Sequence, residues 1–249
     1  AVEFYRIFDL AWEAAGEGRH TEAVGLWRQA LELSPQDARV HMNLAVSLTN
    51  LGRAEEAIVH YRKAVELDPD YPEAHMNLGA ALTAAGRIEQ AVPHYEKAIE
   101  LDPDYVEVHS NLGAALAAAG RLEEAVAHYR KALELKPNFP EVHSNLGVAL
   151  VRLGRLQEAI GHFERALEAN PNSAEIHNNL ARALARAGRL EEAVMRLEGA
   201  LARYPDSAEL NNSLGVVLVW ARRPGEAVAR FRQAVTLKPG FAEALSDDG

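Results

Sequence analysis

Residues Pro72–Tyr105 read PEAHMNLGAALTAAGRIEQAVPHYEKAIELDPDY, and Val106–Phe139 read VEVHSNLGAALAAAGRLEEAVAHYRKALELKPNF. The second stretch keeps the small residues and the proline of the first at the same places, 34 residues on. A chain that repeats itself at such a period is an array of like helical or strand units before it is anything else.

Counting Pro72 as place one, place seven is Leu in every copy: Leu10, Leu44, Leu78, Leu112, Leu146, Leu180 and Leu214. Place twenty is always Ala (Ala23, Ala57, Ala91, Ala125, Ala159, Ala193, Ala227), and so is place twenty-seven, from Ala30 to Ala234. A proline closes each copy, from Pro35 to Pro239. Seven units fit this frame, at 4–37, 38–71, 72–105, 106–139, 140–173, 174–207 and 208–241, and an eighth starts at Ala242 and stops at Gly249.

Within a unit the apolar and small residues recur three and four apart, as His75, Leu78, Gly79 and Leu82 do, and then Ala91, Tyr95 and Ala98. That spacing puts each set on one helical stripe. Gly86 lies between the stripes where a helix would end in a left-handed cap. Asp102-Pro103 then stops the second helix. Each unit is therefore helix A, turn, helix B, turn. Place eight is small (Ala11, Ala45, Gly79, Gly113, Gly147, Ala181, Gly215), and place twenty-four is large (Trp27, Tyr61, Tyr95, Tyr129, Phe163, Leu197, Phe231). A close-packed interior needs large opposite small. One hairpin cannot bury its own apolar faces, so neighbours must stack.

The pattern L-G/A-x-x-L, G, A, Y/F, A, P at these spacings resembles the tetratricopeptide repeat over Phe4–Phe241. The resemblance implies an all-α, right-handed α-α superhelix of seven helix-turn-helix repeats in a single array over 1–249. It also implies a concave groove lined by the A helices, in which protein ligands bind.

Composition suits a folded protein and not a disordered one. The chain has 249 residues, 48% hydrophobic and 25% charged, with net charge −10 and no Cys. Such a balance disfavours duplex nucleic acid and anionic membrane as partners. The longest apolar run, around Val216–Ala221, is too short to span a bilayer. With no signal peptide visible, the expected location is cytoplasmic. The start at Ala1 and the stop inside a new unit suggest a trimmed chain. The apolar FYRIFDLAW at Phe4–Trp12 and an apolar face after Phe241 are expected to meet further sequence or another copy, which admits a homo-oligomer.

On helix A, places two, five, six, nine and thirteen lie opposite the buried stripe. Place six reads Asn43, Asn77, Asn111, Asn145 and Asn179, between Asp9 and Ser213. An amide offers one donor group and one acceptor, which is what a peptide backbone asks for. The file is similar to the asparagine ladder of O-linked N-acetylglucosamine transferases, a likeness strengthened by HSNL at His109–Leu112 and His143–Leu146. That likeness implies a grip on an extended acceptor chain. Two readings stay open: ligand contact, or bonds to neighbouring loops and helix ends. Around the file stand Met42, Met76, Ser110, Ser144 and Asn178, with the apolar Val46, Ala80, Ala114 and Val148. Arg152, Arg182 and Arg186 make the C-terminal half basic, suited to an acidic side chain, phosphate or terminal carboxylate. The Lys and Asn that a chaperone-tail clamp needs at places five and nine are absent.

Histidine recurs at place four (His41, His75, His109, His143, His177) and at place twenty-three (His60, His94, His128, His162). Equivalent places on stacked helices lie roughly 8–10 Å apart, too far to converge on one metal ion. The place-four residues are read as packing residues. No cofactor is expected, and no catalytic constellation is visible. Three whole-chain readings follow: a peptide-binding scaffold, the substrate-recruiting part of a larger glycosyltransferase, or a self-stacking structural protein. Two local irregularities are also expected. Pro93 should delay or bend its B helix, and Arg222-Arg223-Pro224-Gly225 should rebuild the last A–B turn.

Overall fold

The computed structural model describes residues 2–239, and the readings made for Ala242–Gly249 and for the face after Phe241 lie outside them. Fourteen helices follow one another among the described residues. They are α1 (Val2–Gly16), α2 (His20–Leu33), α3 (Ala38–Asn50), α4 (Ala54–Leu67), α5 (Pro72–Ala84), α6 (Ile88–Leu101) and α7 (Val106–Ala118). Then come α8 (Leu122–Leu135), α9 (Pro140–Arg152), α10 (Leu156–Ala169), α11 (Ala174–Arg186), α12 (Leu190–Arg203), α13 (Ala208–Trp220) and α14 (Pro224–Leu237). The odd-numbered helices are the A helices and the even-numbered ones the B helices.

The helices divide into two compact units, the first ending at Arg121 and the second starting at Leu122. In the first unit, α1–α2, α3–α4 and α5–α6 pack as hairpins, and each B helix packs on the next A helix. In the second, α9–α10, α11–α12 and α13–α14 do the same, with α8 against α9. Successive A helices also touch: α1 with α3, α3 with α5 and α5 with α7, and likewise α9 with α11 and α11 with α13. The B helices are instead linked from repeat to repeat by long side chains. Examples are Arg28–Glu56 at 2.5 Å, Arg87–Glu55 at 2.8 Å, Arg130–Glu158 at 2.9 Å and Arg223–Glu191 at 3.4 Å.

Local sequence explains the punctuation. Asp37, Ser173 and Ser207 cap α3, α11 and α13 with side-chain oxygens, while Pro72 and Pro140 open α5 and α9. Gly86 takes φ +74 at the end of helix A, so that Arg87 N–H reaches the Leu82 carbonyl at 2.8 Å. The core is the expected contact between places eight and twenty-four. A Cβ added to Gly79 would lie 2.8 Å from the Tyr95 ring, and one on Gly147 2.7 Å from Phe163. At place twelve, Thr49 meets the Tyr61 hydroxyl at 3.3 Å and Thr83 that of Tyr95 at 3.4 Å. Val151 accompanies Phe163 at these places, and Val219 accompanies Phe231. The buried stripe is wider than expected, since Val40, Ala74, Val108, Val142, Ile176 and Leu210 at place three are also buried.

Three expectations are corrected. The helix holding Pro93 starts at Ile88, in register with the other B helices, and runs the full 14 residues. Pro93 sits on its exposed side, and the first turn tightens locally by a bond from Gln90 N–H to the Arg87 carbonyl at 3.1 Å. The last A–B turn is not rebuilt either. Arg222 takes φ 59, the left-handed value glycine takes in the other turns, and Arg223 N–H still reaches Leu218 O at 2.8 Å. Leu10 is 43% exposed, unlike its six counterparts, because among the described residues no helix packs in front of α1. Its neighbours on α1 do pack: Phe8 meets Trp27 edge-on at 4.9 Å between ring centroids.

The place-four histidines do more than pack. The Nε2–H of His41, His75, His109, His143 and His177 donates to the carbonyl of Pro35, Pro69, Pro103, Pro137 and Pro171, at 2.9–3.1 Å. Each bond ties helix A to the turn that delivers it. In the last repeat Asn211 donates to Pro205 O instead, at 3.4 Å. A carbonyl only accepts, so Nε2 carries the proton and Nδ1 is left as an acceptor. That nitrogen faces the place-twenty-three histidine of helix B: His41–His60 at 3.0 Å, His75–His94 at 3.2 Å and His143–His162 at 2.9 Å. For His41–His60 the ring centres are 5.2 Å apart. That distance exceeds the nitrogen separation by about two ring radii, so the nitrogens point at one another. This is the geometry of one shared N–H···N bond, and two nitrogens converging on a metal would bring the ring centres closer.

Such a pair accommodates one proton between its facing nitrogens, and a second breaks the bond. Burial, first of all, depresses His60, His75, His94 and His143 below the ordinary value of 6.5, and takes His162 down to about 4. A folded-state value below the unfolded one favours the neutral form. The stabilisation is therefore complete above pH 6.5 and is lost as pH falls towards 4. The melting temperature is expected to hold between pH 8 and 7 and then to fall by roughly 5 °C or more by pH 5. A flat profile in circular dichroism melts refutes this. Separately, Arg222→Gly is expected to relieve roughly 1 kcal/mol of left-handed strain, raising the protection of α14 amides about fivefold in hydrogen exchange. Unchanged exchange there refutes it.

Candidate functional site

The A helices of each unit present one face that is used neither by the core nor by the linked B helices. In the first unit Asn43, Asn77 and Asn111 stand half-buried on α3, α5 and α7, beside the half-buried Met42, Met76 and Ser110. Asn111 donates weakly to the Met76 sulfur at 3.7 Å. Among the described residues, the amides of Asn43 and Asn77 have no hydrogen bond within the protein. The second of the open readings, bonding to loops and helix ends, thus finds no support at these two residues.

In the second unit Asn145 is exposed on α9 and Asn179 half-buried on α11, again without internal hydrogen bonds among the described residues. Ser144, expected to lie open beside them, is only 8% exposed. It turns under the Pro140 end of α9, where it lines a cavity of about 290 Å³ with Glu141, Asn145, Ser173, Glu175 and Ile176. Asn178 is half-buried and points its Oδ1 inward with no partner.

At the other end of the same two helices, Arg152, Arg182 and Arg186 are exposed. With Asn179 they line a cavity of about 220 Å³ floored by Val148, Val151 and Phe163. Five of the residues singled out from sequence for this face, the three arginines with Asn179 and Val148, thus meet around one hollow. Phe163 was missed as its floor because it was assigned to the hairpin contact, and Val151 because no reading was attached to place twelve. Glu141 and Glu175 were missed because acidic residues in a first helical turn have a ready explanation in the helix dipole.

A larger cavity, about 760 Å³, lies elsewhere, between α8, α9 and α10 on the B-helix side. It is lined by the His143–His162 pair with Arg130, Arg165, Glu134 and Glu168. Its two cations face two carboxylates, and Arg130 is already paired with Glu158. We assign it no ligand. Among the described residues no helix is long and apolar enough to cross a membrane.

Sequence profiles of the tetratricopeptide repeat match residues 14–59, 150–216 and 195–242, and those of the TPR repeat match 47–84, 79–120 and 115–154. The chain belongs to the tetratricopeptide-repeat family. These TPR matches together run from residue 14 to residue 242. Solved structures of similar fold include YrrB, a TPR protein with an unusual peptide-binding site. It is 24% identical, with a TM-score of 0.63 over 76% of this chain and 97% of that one. PilF of Pseudomonas aeruginosa is 23% identical, with a TM-score of 0.68 over 84% and 97% of the two chains. MamA of MSR-1 is 27% identical, with a TM-score of 0.61 over 70% and 100%. No curated protein matches the sequence.

Proposed function

We propose that this TPR protein is a noncatalytic interaction scaffold that holds an extended segment of a partner protein along its A helices. TPR proteins act as protein-interaction scaffolds, and YrrB is a fold relative with a peptide-binding site. The observation that carries the reading is the set of side-chain amides without internal partners: Asn43 and Asn77 in the first unit, Asn145 and Asn179 in the second. An amide that meets a peptide group supplies both halves of a backbone hydrogen-bond pair. Recognition of this kind is largely indifferent to the partner's side chains, and the neighbours of the file supply what selectivity there is.

A second reading has one observation behind it. The asparagine file and HSNL suit the acceptor-recruiting region of a larger glycosyltransferase. The histidine of that motif, however, is engaged with Pro103 and Pro137, which leaves the asparagines to carry the likeness. A nucleotide-sugar transferase domain encoded in the same gene decides for it.

Asn145→Ala with Asn179→Ala is expected to weaken binding to a peptide array about tenfold, at roughly 0.5–1.5 kcal/mol per hydrogen bond. The melting temperature should stay unchanged. Equal binding by the variant and the parent refutes the role of the amides.

A further inference from the structure

We propose that the groove between α9 and α11 selects a dipolar segment of the partner protein. An acidic side chain beside an apolar one enters the Arg152–Arg182–Arg186 hollow, and a basic side chain meets Glu141 and Glu175 at the other end. The inference rests on the reading that the A face binds a partner chain, and it names that partner's chemistry.

The two ends of this groove are opposite in charge and uniform within themselves. The hollow at the C-terminal ends of α9 and α11 has three guanidinium groups and an amide in its lining, and no carboxylate. The hollow at their N-terminal ends has Glu141 and Glu175 and no cation. Among the described residues Arg182, Arg186, Glu141 and Glu175 make no ion pair. The helix dipole favours acid at one end and base in the last turn, which accounts for the glutamates, Arg152 and Arg186. It does not account for Arg182, which stands in mid-helix one turn from Arg186. Like charges four apart on a helix oppose each other, and no carboxylate relieves this pair. An incoming carboxylate would, and guanidinium forks grip one in bidentate fashion. The apolar floor of Val148, Val151 and Phe163 asks for an aliphatic neighbour to that acid.

The spacing fixes the ligand. Glu141 and Arg152 lie eleven residues apart on α9, about 16 Å at helical rise. An extended chain covers that in about five residues, and Asn145 and Asn179 lie between the two hollows to hold its backbone. The first unit has no such polarity, because Val46, Ala80 and Ala114 and then Asn50, Ala84 and Ala118 stand where the second has its arginines. A nucleic acid strand fits poorly, since the glutamate end repels a phosphate backbone that the arginine end attracts.

The test uses the full chain and fluorescein-labelled, amidated twelve-residue peptides in anisotropy titrations. The dipolar probe carries Lys-Ser-Ser-Ser-Leu-Glu at its centre, and the neutral probe carries Gln-Ser-Ser-Ser-Leu-Gln. The dipolar probe is expected to bind about tenfold tighter at low salt. Arg182→Gln with Arg186→Gln should abolish that preference. Arg182→Glu with Arg186→Glu should invert it towards a probe with Lys in place of Glu. Equal binding of dipolar and neutral probes, or a preference that survives Arg182→Gln with Arg186→Gln, overturns the inference and leaves the scaffold reading standing. Loss of all peptide binding on Asn145→Ala with Asn179→Ala, with the preference intact in the parent, supports both. A thymidine oligonucleotide that binds tighter than the dipolar peptide also overturns it.

Discussion

The contact between place eight and place twenty-four determines how near helix B comes to helix A, and the other contacts of the repeat follow from that distance. At Gly79 and Gly147 the aromatic ring lies where a Cβ would be. A hairpin this tight brings the facing histidines within bonding distance and leaves the place-four histidine able to reach back to the proline carbonyl of the turn before it. Packing thus sets distances, and hydrogen bonds use them to fix the angle at which each turn delivers the next helix. The second depends on the first. A looser hairpin would leave buried imidazoles without partners, which costs more than never having placed them there.

Most of the fold was legible because it is periodic. Leu, Ala, Gly and Pro at fixed places constrain helix, turn and core together, and among the described residues the structure has a helix wherever they predict one. The departures at Pro93 and Arg222 have one cause: a single residue was weighed against its own propensity and not against its repeat. Pro93 and Arg222 are each unfavourable locally, yet neighbouring repeats pack on both sides of the first and the register of α13–α14 holds the second. Tertiary packing outweighs such costs when they are small beside the contacts that hold the register. The proline–histidine bonds were not legible in the same way. Their partners are six residues apart across a turn, and nothing in helical spacing joins them. The signal was nonetheless present, in that histidine at place twenty-three occurs only in units with histidine at place four.

The candidate site was legible as a set of residues and not as a geometry. Arg152, Arg182 and Arg186 could be named from their places on helix A, but whether they shared a hollow depended on how far α9 and α11 stand apart. Ser144 shows the limit from the other side. Its place predicts an open position, yet the neighbouring end of α11 covers it. Positions between two helices belong to both, and a period read along one chain segment cannot say how much of such a position the next helix hides.

The A face is the one left open for the proposed function, because the other faces are already committed. The stripe from place three to place eleven is occupied by packing. The place-four imidazoles are engaged with the turns, and those of His41, His75 and His143 also with the facing histidine. The B helices spend many of their long side chains bridging one repeat to the next, as Arg28–Glu56 and Arg155–Glu123 do, and exposed pairs of that kind contribute little more than register. What remains is a face of small, amide and adaptable residues on helices held rigid from behind. Rigid support matters more than the identity of any one residue there, since a file of amides matches a peptide backbone only if its spacing is fixed before the peptide arrives. On the proposed function, the clamps that a sequence reading sets aside as structural are thus part of recognition. They hold constant the intervals between Asn43 and Asn77, and between Asn145 and Asn179, that such a backbone grip would use.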